Sequence, residues 1–563
     1  MKYKNPFIAF GQFYRELTHV RKFREATLRP KSAQEQKLLE IIRLNQNTEF
    51  GKKHGFSTIQ SIADYQQLVP PCVYEDLEPY ITKQMNGIYN QISSEKPIMY
   101  ATTSGTTGKP KFIPITPAHL KDYSHAFQIH NWGLTYDYPD TACAPNGKYL
   151  IFNSNDQEGF TPDGTPYGAV SGLLRRRQSA FVQRYIALPP SVARIKEVEK
   201  KYYTILRLAL TQKIVVIASC NPSTLLLMAD QMQEHAEELI KDIFDGTMRR
   251  EMVSSDPELA AELDNYLVQD RDAGRQLAAV LDKEGTLLPC KAWPELKIIT
   301  VWKGGPMPFY LDRLPEKFGI SNFRDFGYMA SEGRGTIPLA DEGAGGVAAL
   351  TSHFFEFVPE DEMQKSNKTF LTLDQLELGK RYFIYFTTAA GLYRYNINDL
   401  MEVVDFGNQT PILKFVQKGA GVSSITGEKL TEEQVTIALA FAQRQLQLGN
   451  VGHFILSVQL GNPPFYTGFV EPSGEMSDSV LTAMASIIDQ SLQSQNIEYK
   501  DKRQSMRLGG IVLNRVQPGT FRRLRQQRVS DGAPEAQVKF PFLTNNSNFK
   551  DTIATLQAME QAV

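Results

Sequence analysis

Residues Ala101 to Thr116 read ATTSGTTGKPKFIPIT, a short run that packs hydroxyls, two glycines and two lysines together. Glycine lets backbone N–H groups approach an anion closely, and Ser or Thr hydroxyls add further donors. Lys109 and Lys111 supply charge. Such a loop suits the phosphates of a nucleotide. It is not the P-loop of ordinary NTPases. No Gly stands five residues before Gly108, and Pro110, not Ser or Thr, follows Lys109. The ordinary reading of Ser104 to Gly108 is a polar hairpin turn, and that of the two lysines is strand-edge charge.

Three more stretches carry chemistry-bearing side chains. Lys303-Gly304-Gly305-Pro306 follows an apolar run, and a Gly pair at a strand end lets a flat ring or a backbone come close. NFRDFGYMASEGR, residues 322–334, joins an aromatic ring, small residues, a hydroxyl and the Glu332 carboxylate. GLYRYNIND ends on Asp399. A carboxylate is the right ligand for a hard cation and the right acceptor for paired hydroxyls. The bland alternatives are a surface carboxylate or helix cap for Glu332 and a turn residue for Asp399. His119, His125 and His130 lie on one stretch, but 125 and 130 lack the i,i+4 spacing of a helical metal pair. His130 is kept as a candidate for the adjacent pocket, against a structural role.

Rigid elements must hold these loops. Pro97 to Tyr100 and Phe112 to Ile115 read as strands on either side of the first loop, and Pro117 to Trp132 as a helix leaving it. Residues 1–95 read as mostly helical, with Leu38, Leu39, Ile41 and Ile42 on one stripe and Asn45 to Gly55 as a loop. Strands are expected at Lys148 to Phe152, Lys213 to Ala218, Lys297 to Trp302, Phe354 to Pro359, Arg381 to Thr387 and Met401 to Phe406. Asn221-Pro222 is an N-cap followed by Pro at the first helical position, opening a helix through Phe244. Residues 245–288 read as charged helices. This strand-then-helix order argues for an α/β layer architecture. Composition shifts near Gln417 to Gly427, which reads as a hinge or a boundary. Beyond it Thr431 and Gln434 form a capping box, and alternating strands and helices predict a small α+β domain.

At 563 residues the chain exceeds what one core sustains, so at least two domains are expected. The formal net charge of −1 gives no argument for nucleic acid or an anionic membrane, and RRLRQQR at 522–528 reads as a solvated helix face. No apolar run approaches the roughly 18 residues that span a bilayer. The first ten residues are too short in apolar content for a secretory signal. Four scattered cysteines suit a reducing cytoplasm.

Four stretches in order carry a resemblance: TSGTTGKPKFIP at 103–114, YMASEG at 328–333, GLYRYNIND at 391–399 and QVKFP at 537–541. With NTEFGKKHGF, VPPCVYEDLEPYI and FFEFVP they make the chain resemble the GH3 family, the plant auxin- and jasmonate-conjugating acyl–amino acid synthetases and their bacterial relatives. That family lies in the adenylate-forming superfamily of acyl-CoA synthetases and luciferase. The resemblance implies a large multi-layer adenylate-forming domain at 1–416, a hinge at 417–427 and a small mobile α+β domain at 428–563. It implies that Ser104, Gly105, Thr106, Thr107 and Gly108 hold the ATP phosphates. Gly304, Gly305, Tyr328, Met329, Ala330 and Ser331 would line the adenine pocket, Glu332 would bind Mg²⁺, and Asp399 would bridge the ribose hydroxyls. Lys418 would lie at the hinge beside the nucleotide, and Lys539 would swing in to the α-phosphate and acyl carboxylate. The ribose motif of plant members reads closer to YRxGD, whereas Asn396 and Asn398 stand in it here. Plant members also carry an arginine on the helix after the phosphate loop, for the acyl carboxylate; residues 117–134 offer none, only His130.

The implied activity uses ATP and Mg²⁺ to activate a carboxylic acid as an acyl-adenylate, then passes the acyl group to an amine, an amino acid. A thiol acceptor such as CoA, or a non-catalytic relative that binds nucleotide or acyl acid, are the alternatives. A cytoplasmic monomer, with neither nucleic acid nor a membrane span, completes the expectation.

Overall fold

The computed structural model describes residues 5–104, 110–305, 307–363, 365–419, 421–448, 451–472, 474–521, 523, 524, 527 and 541–561. The chain divides into two compact units. One holds residues 1–102 and 112–417, the other 103–111 and 418–563.

Two sheets organise the first unit. Lys148–Ile151, Ile214–Ala218, Ile298–Val301 and Phe323–Asp325 form a parallel sheet in that order. All four residues of Ile298–Val301 are buried, as the continuous apolar run of a strand covered on both faces requires. The helices Val198–Ala209 and Pro222–Glu234 supply part of the cover. Asn221 caps the second of these by accepting from the Ser223 N–H at 2.9 Å. The expected single helix through Phe244 is two helices, because the chain leaves helical geometry at His235 before Ala236–Asp245 begins.

The other large sheet has six strands, in the order Thr336–Ile337, Gly346–Ala348, Thr410–Lys418, Tyr395–Gly407, Arg381–Thr387 and Phe354–Pro359. Phe354 to Val358 are all buried, and Phe354, Phe355 and Phe357 share a core with Leu38, Ile41 and Ile42 of helix Pro30–Asn45. The expected loop at Asn45 to Gly55 contains a short helix, Glu49–Lys53. Thr48 caps it, its hydroxyl accepting from Gly51 N at 2.9 Å. Met99–Ser104 and Pro110–Ile115 belong to a smaller four-stranded sheet. Helix Pro117–Asp137 follows and runs five residues past its expected end at Trp132.

The second unit pairs Val512–Arg515, Phe465–Glu471, His453–Gln459 and Leu543–Thr544 in one sheet. Helices Glu432–Gln445 and Asp478–Gln495 share its core. The capping box is present: Thr431 Oγ1 accepts from Gln434 N at 3.2 Å and Gln434 Oε1 from Thr431 N at 3.1 Å. Buried Glu428 accepts from the backbone N–H groups of Ile425 and Thr426 and from the Tyr466 hydroxyl.

Candidate active site

Residues 329–334 fold as a miniature hairpin. Met329–Ala330 pairs with Gly333–Arg334, leaving Ser331 and Glu332 as its turn. A turn carboxylate normally points to water. Glu332 is instead 4% exposed, and its Oε2 has no hydrogen-bond partner among the described residues. It is thus neither the surface carboxylate nor the helix cap of the bland reading. A buried carboxylate oxygen without a donor is costly unless a cation meets it. Among the described residues no three His, Cys, Asp or Glu side chains group as a metal cage. One carboxylate fits a magnesium ion shared with substrate phosphates, since Mg²⁺ uses few protein ligands and keeps oxygen neighbours from substrate and water.

Tyr328 precedes the hairpin. Its hydroxyl donates to Asp399 Oδ2 at 2.5 Å, and its ring lies parallel to Phe415, the centroids 5.9 Å apart. Burial first, and then the Asp399 charge, hold the Tyr328 hydroxyl well above the usual phenol range. Tyr395 is raised likewise by burial and by the charges of Glu332 and Asp399, so the two carboxylates act on a common neighbourhood.

Asp399 lies within strand Tyr395–Gly407, not in a turn before a strand beginning at Met401. The register with Arg381–Thr387 jumps there. Phe383 faces Leu400 while Tyr385 faces Asn396, so the stretch between them bulges. Asn398 sits at φ +59°, a left-handed conformation that Asn tolerates better than most residues. Its N–H donates to Asn396 Oδ1 at 2.8 Å. The two asparagines that depart from the plant-like motif therefore shape the bulge that presents Asp399. Five residues before Asp399, Arg394 anchors the segment: its Nε donates to Glu356 Oε2 at 2.9 Å, both side chains being buried.

The glycine pair meets the same wall. A Cβ on Gly304 would stand 3.1 Å from the Phe415 carbonyl oxygen, and one on Gly305, at φ +63°, 3.5 Å from the Phe415 ring. Gly304, Gly305, Phe415, Tyr328 and Asp399 are therefore linked in sequence by direct approach. Two contributors escape motif reading. Phe415 belongs to an ordinary apolar strand pattern. Gly335 leaves room for Tyr328, since a Cβ there would lie 2.4 Å from the Tyr328 ring.

His130 is fully buried on helix Pro117–Asp137, its ring parallel to Phe326 at 6.2 Å. Burial, with Arg334 and Arg324 nearby, pushes its pKa far down, so it is neutral. Nδ1 lies 3.3 Å from the Pro338 carbonyl, and Nε2 has no partner among the described residues. Lys418 is half-buried at the end of strand Thr410–Lys418 and belongs to the second unit. Ser104 ends strand Met99–Ser104. Gly105, Thr106, Thr107, Gly108, Lys109 and Lys539 lie outside the described residues, as does most of the 522–528 run.

With this geometry in hand, comparison with known proteins is decisive for the family. The GH3 family N-terminal domain matches residues 19–323, the central domain 346–418 and the C-terminal domain 433–548. The chain belongs to the GH3 family. Jasmonoyl–L-amino acid synthetase GH3.5 of Oryza sativa subsp. japonica is 26% identical to this GH3 protein over 549 residues, covering 92% of the chain and 93% of the relative. Indole-3-acetic acid-amido synthetase GH3.3 of Arabidopsis thaliana is 24% identical over 563 residues, covering 94% and 91%. Among solved structures, GH3.15 acyl acid amido synthetase covers 94% of each chain with a TM-score of 0.63 at 21% identity, which establishes the shared α/β fold. No helix among the described residues is long and apolar enough to cross a membrane.

Proposed function

We propose that this GH3 protein is an acyl acid–amido synthetase: it spends ATP to activate a carboxylic acid as an acyl-adenylate and transfers the acyl group to an amine, in this family's pattern an amino acid. A carboxylate is a poor electrophile, so amide formation needs a better leaving group. An oxygen of R–COO⁻ attacks the α-phosphorus, the bond to the β-phosphate oxygen breaks and pyrophosphate leaves. The amine then attacks the acyl carbonyl, loses a proton, and AMP departs. The first step brings two anions together, so fixed cations and donors carry the catalysis.

The observation that supports this reading most is the buried oxygen of Glu332, without a partner among the described residues, in a neighbourhood that it shares with the Asp399 carboxylate held by Tyr328. In this reading Glu332 holds Mg²⁺, which would neutralise phosphate charge. Asp399, oriented by the Tyr328 hydroxyl, accepts from the ribose hydroxyls. Gly304 and Gly305, with residues 328–331, border the base. Ser104 to Gly108 grip the leaving pyrophosphate, and Lys539 meets the α-phosphate and the acyl carboxylate. The hinge is placed at 417–427, with Lys418 at its start, and the mobile domain at 428–563. His130 borders the acyl acid, and the enzyme acts as a cytoplasmic monomer. Closure by a mobile domain would keep water from the adenylate.

ATP–pyrophosphate exchange across a panel of carboxylic acids tests the first half-reaction. Acid-dependent exchange is expected. Measured ATP binding with no exchange for any acid would favour a non-catalytic binder. Product analysis with amino acids and with CoA then distinguishes amide from thioester formation.

A further inference from the structure

The first helix is turned inside out. Asn5 caps it, its side chain accepting from Phe7 N, and Pro6 opens it, so the helix Pro6–Arg15 is well specified. An amphipathic helix normally lays its apolar stripe on the core. Here the side that docks is polar. Gln12 is the buried residue, its Nε2 donating to the Trp132 carbonyl at 3.0 Å, and Arg15 Nε donates to Gln128 Oε1 at 2.9 Å. Both partners lie on helix Pro117–Asp137.

The apolar stripe faces away. Phe7, Phe10, Phe13 and Tyr14 stand at i, i+3, i+6 and i+7, within about one-third of a helix circumference, and Leu17 follows in the π-helical turn Glu16–Val20. Their exposures are 73%, 69%, 60%, 56% and 47%. Single exposed apolar residues need no explanation, but a contiguous stripe of four aromatic rings and a leucine marks a binding surface.

Charge selects the occupant. Residues 1–29 carry seven Lys and Arg against two Glu, a net of +5, in a chain whose total is −1. Arg21, Lys22 and Arg24 follow the stripe directly, all exposed, although Arg21 pairs with Glu25 and Arg24 with Glu16. An aromatic stripe bordered by cations has the composition of a helix that lies in the plane of an anionic lipid surface, rings among the headgroups and basic residues toward lipid phosphates. A second copy of this chain fits poorly, because it would set one +5 segment against another. We propose that residues 6–24 form a reversible docking face for an anionic membrane surface.

The test is co-sedimentation of the full chain with vesicles. One set is phosphatidylcholine alone, the other contains phosphatidylserine at about one part in three. Binding to the anionic set is expected to exceed binding to the neutral set by about tenfold and to weaken as salt is raised. The triple variant Phe7→Ser, Phe10→Ser, Phe13→Ser should lose about tenfold of that binding. Because the three rings are exposed, its melting temperature should stay that of the parent, which separates lost docking from lost folding. Equal partition onto both vesicle sets, or undiminished binding by the triple variant, would overturn the proposal. So would light scattering that finds a dimer dissolved by the triple variant, which would assign the stripe to a second copy. Salt-sensitive binding to polyglutamate without vesicle binding would overturn it in favour of an acidic protein.

Discussion

The Tyr328 hydroxyl and the Asp399 carboxylate, 71 residues apart in sequence, meet at 2.5 Å. Tyr328 comes from the loop before the 329–334 hairpin and Asp399 from a bulge in the six-stranded sheet. One hydrogen bond thus fixes the relation between the two motifs. Tyr328→Phe should raise the KM for ATP in pyrophosphate exchange by about tenfold, the loss of one hydrogen bond to a charged group, with little change in melting temperature. An unchanged KM would show that Asp399 needs no such orientation.

Gly335→Ala should act on the same pair from outside the site. The added Cβ would stand 2.4 Å from the rigid Tyr328 ring. Displacing the ring breaks its bond to Asp399, so ATP affinity measured by calorimetry should fall at least as far as in Tyr328→Phe. Wild-type affinity in a folded Gly335→Ala protein would refute the packing argument.

Glu332→Gln keeps the shape of the hairpin turn and removes its charge. If this carboxylate holds Mg²⁺, exchange activity should drop roughly a hundredfold or more, as for other lost groups that stabilise transition-state charge. The Mg²⁺ concentration for half-maximal activity should rise in parallel. The variant should not be less stable than the parent, because a buried carboxylate oxygen without a partner among the described residues is gone. A Mg²⁺ titration that superimposes on the parent's would remove Glu332 from the metal site.

Arg394→Met leaves Glu356 buried without its cation. The pair is 2.9 Å apart with side-chain exposures of 3% and 1%. Losing one partner of such a pair costs about 3–5 kcal/mol. Urea denaturation should show this loss, and the double variant Arg394→Met, Glu356→Gln should recover part of it. A double variant no better than the single one would argue that Arg394 acts through its bonds to the Gln66 and Val69 carbonyls instead.

His119 gives a pH dependence with a definite sign. Burial first, and Lys37 second, lower its pKa from 6.5 to about 4. Neither ring nitrogen has a hydrogen-bond partner among the described residues, and the ring stacks on His353 at 5.3 Å. The unfolded chain therefore takes up the proton first. The stability contributed by neutral His119 is full above about pH 6.5 and is lost as pH falls toward 4, on the order of 3 kcal/mol in all. Urea midpoints at several pH values should fall across that window, and His119→Phe should flatten the fall. Parallel pH profiles for parent and variant would exclude this residue as a source.

Sequence alone determined the order of the strands and helices that carry the candidate motifs. Phe354–Pro359 and Arg381–Thr387 are legible because β-rich runs bounded by turn residues leave few alternatives. The Thr431 capping box is local chemistry, complete within four residues. The motif set with Glu332 and Asp399 was likewise readable as residue types suited to a cation and to hydroxyls. What the sequence could not supply was environment. It also offered Glu332 as a surface carboxylate or helix cap, and only the packing around the hairpin buries its oxygen away from donors among the described residues. It placed Asp399 before a strand, because a bulge depends on the register of a partner strand more than ten residues away. It gave no reason to choose Phe415 or Gly335, whose importance lies in the distance to Tyr328. The same limit explains the first helix. Its apolar stripe is periodic in the sequence, and periodicity alone would have turned it inward. Which face docks was decided by where Gln12 and Arg15 find their partners, 120 and 113 residues away, and that is information only the folded chain contains.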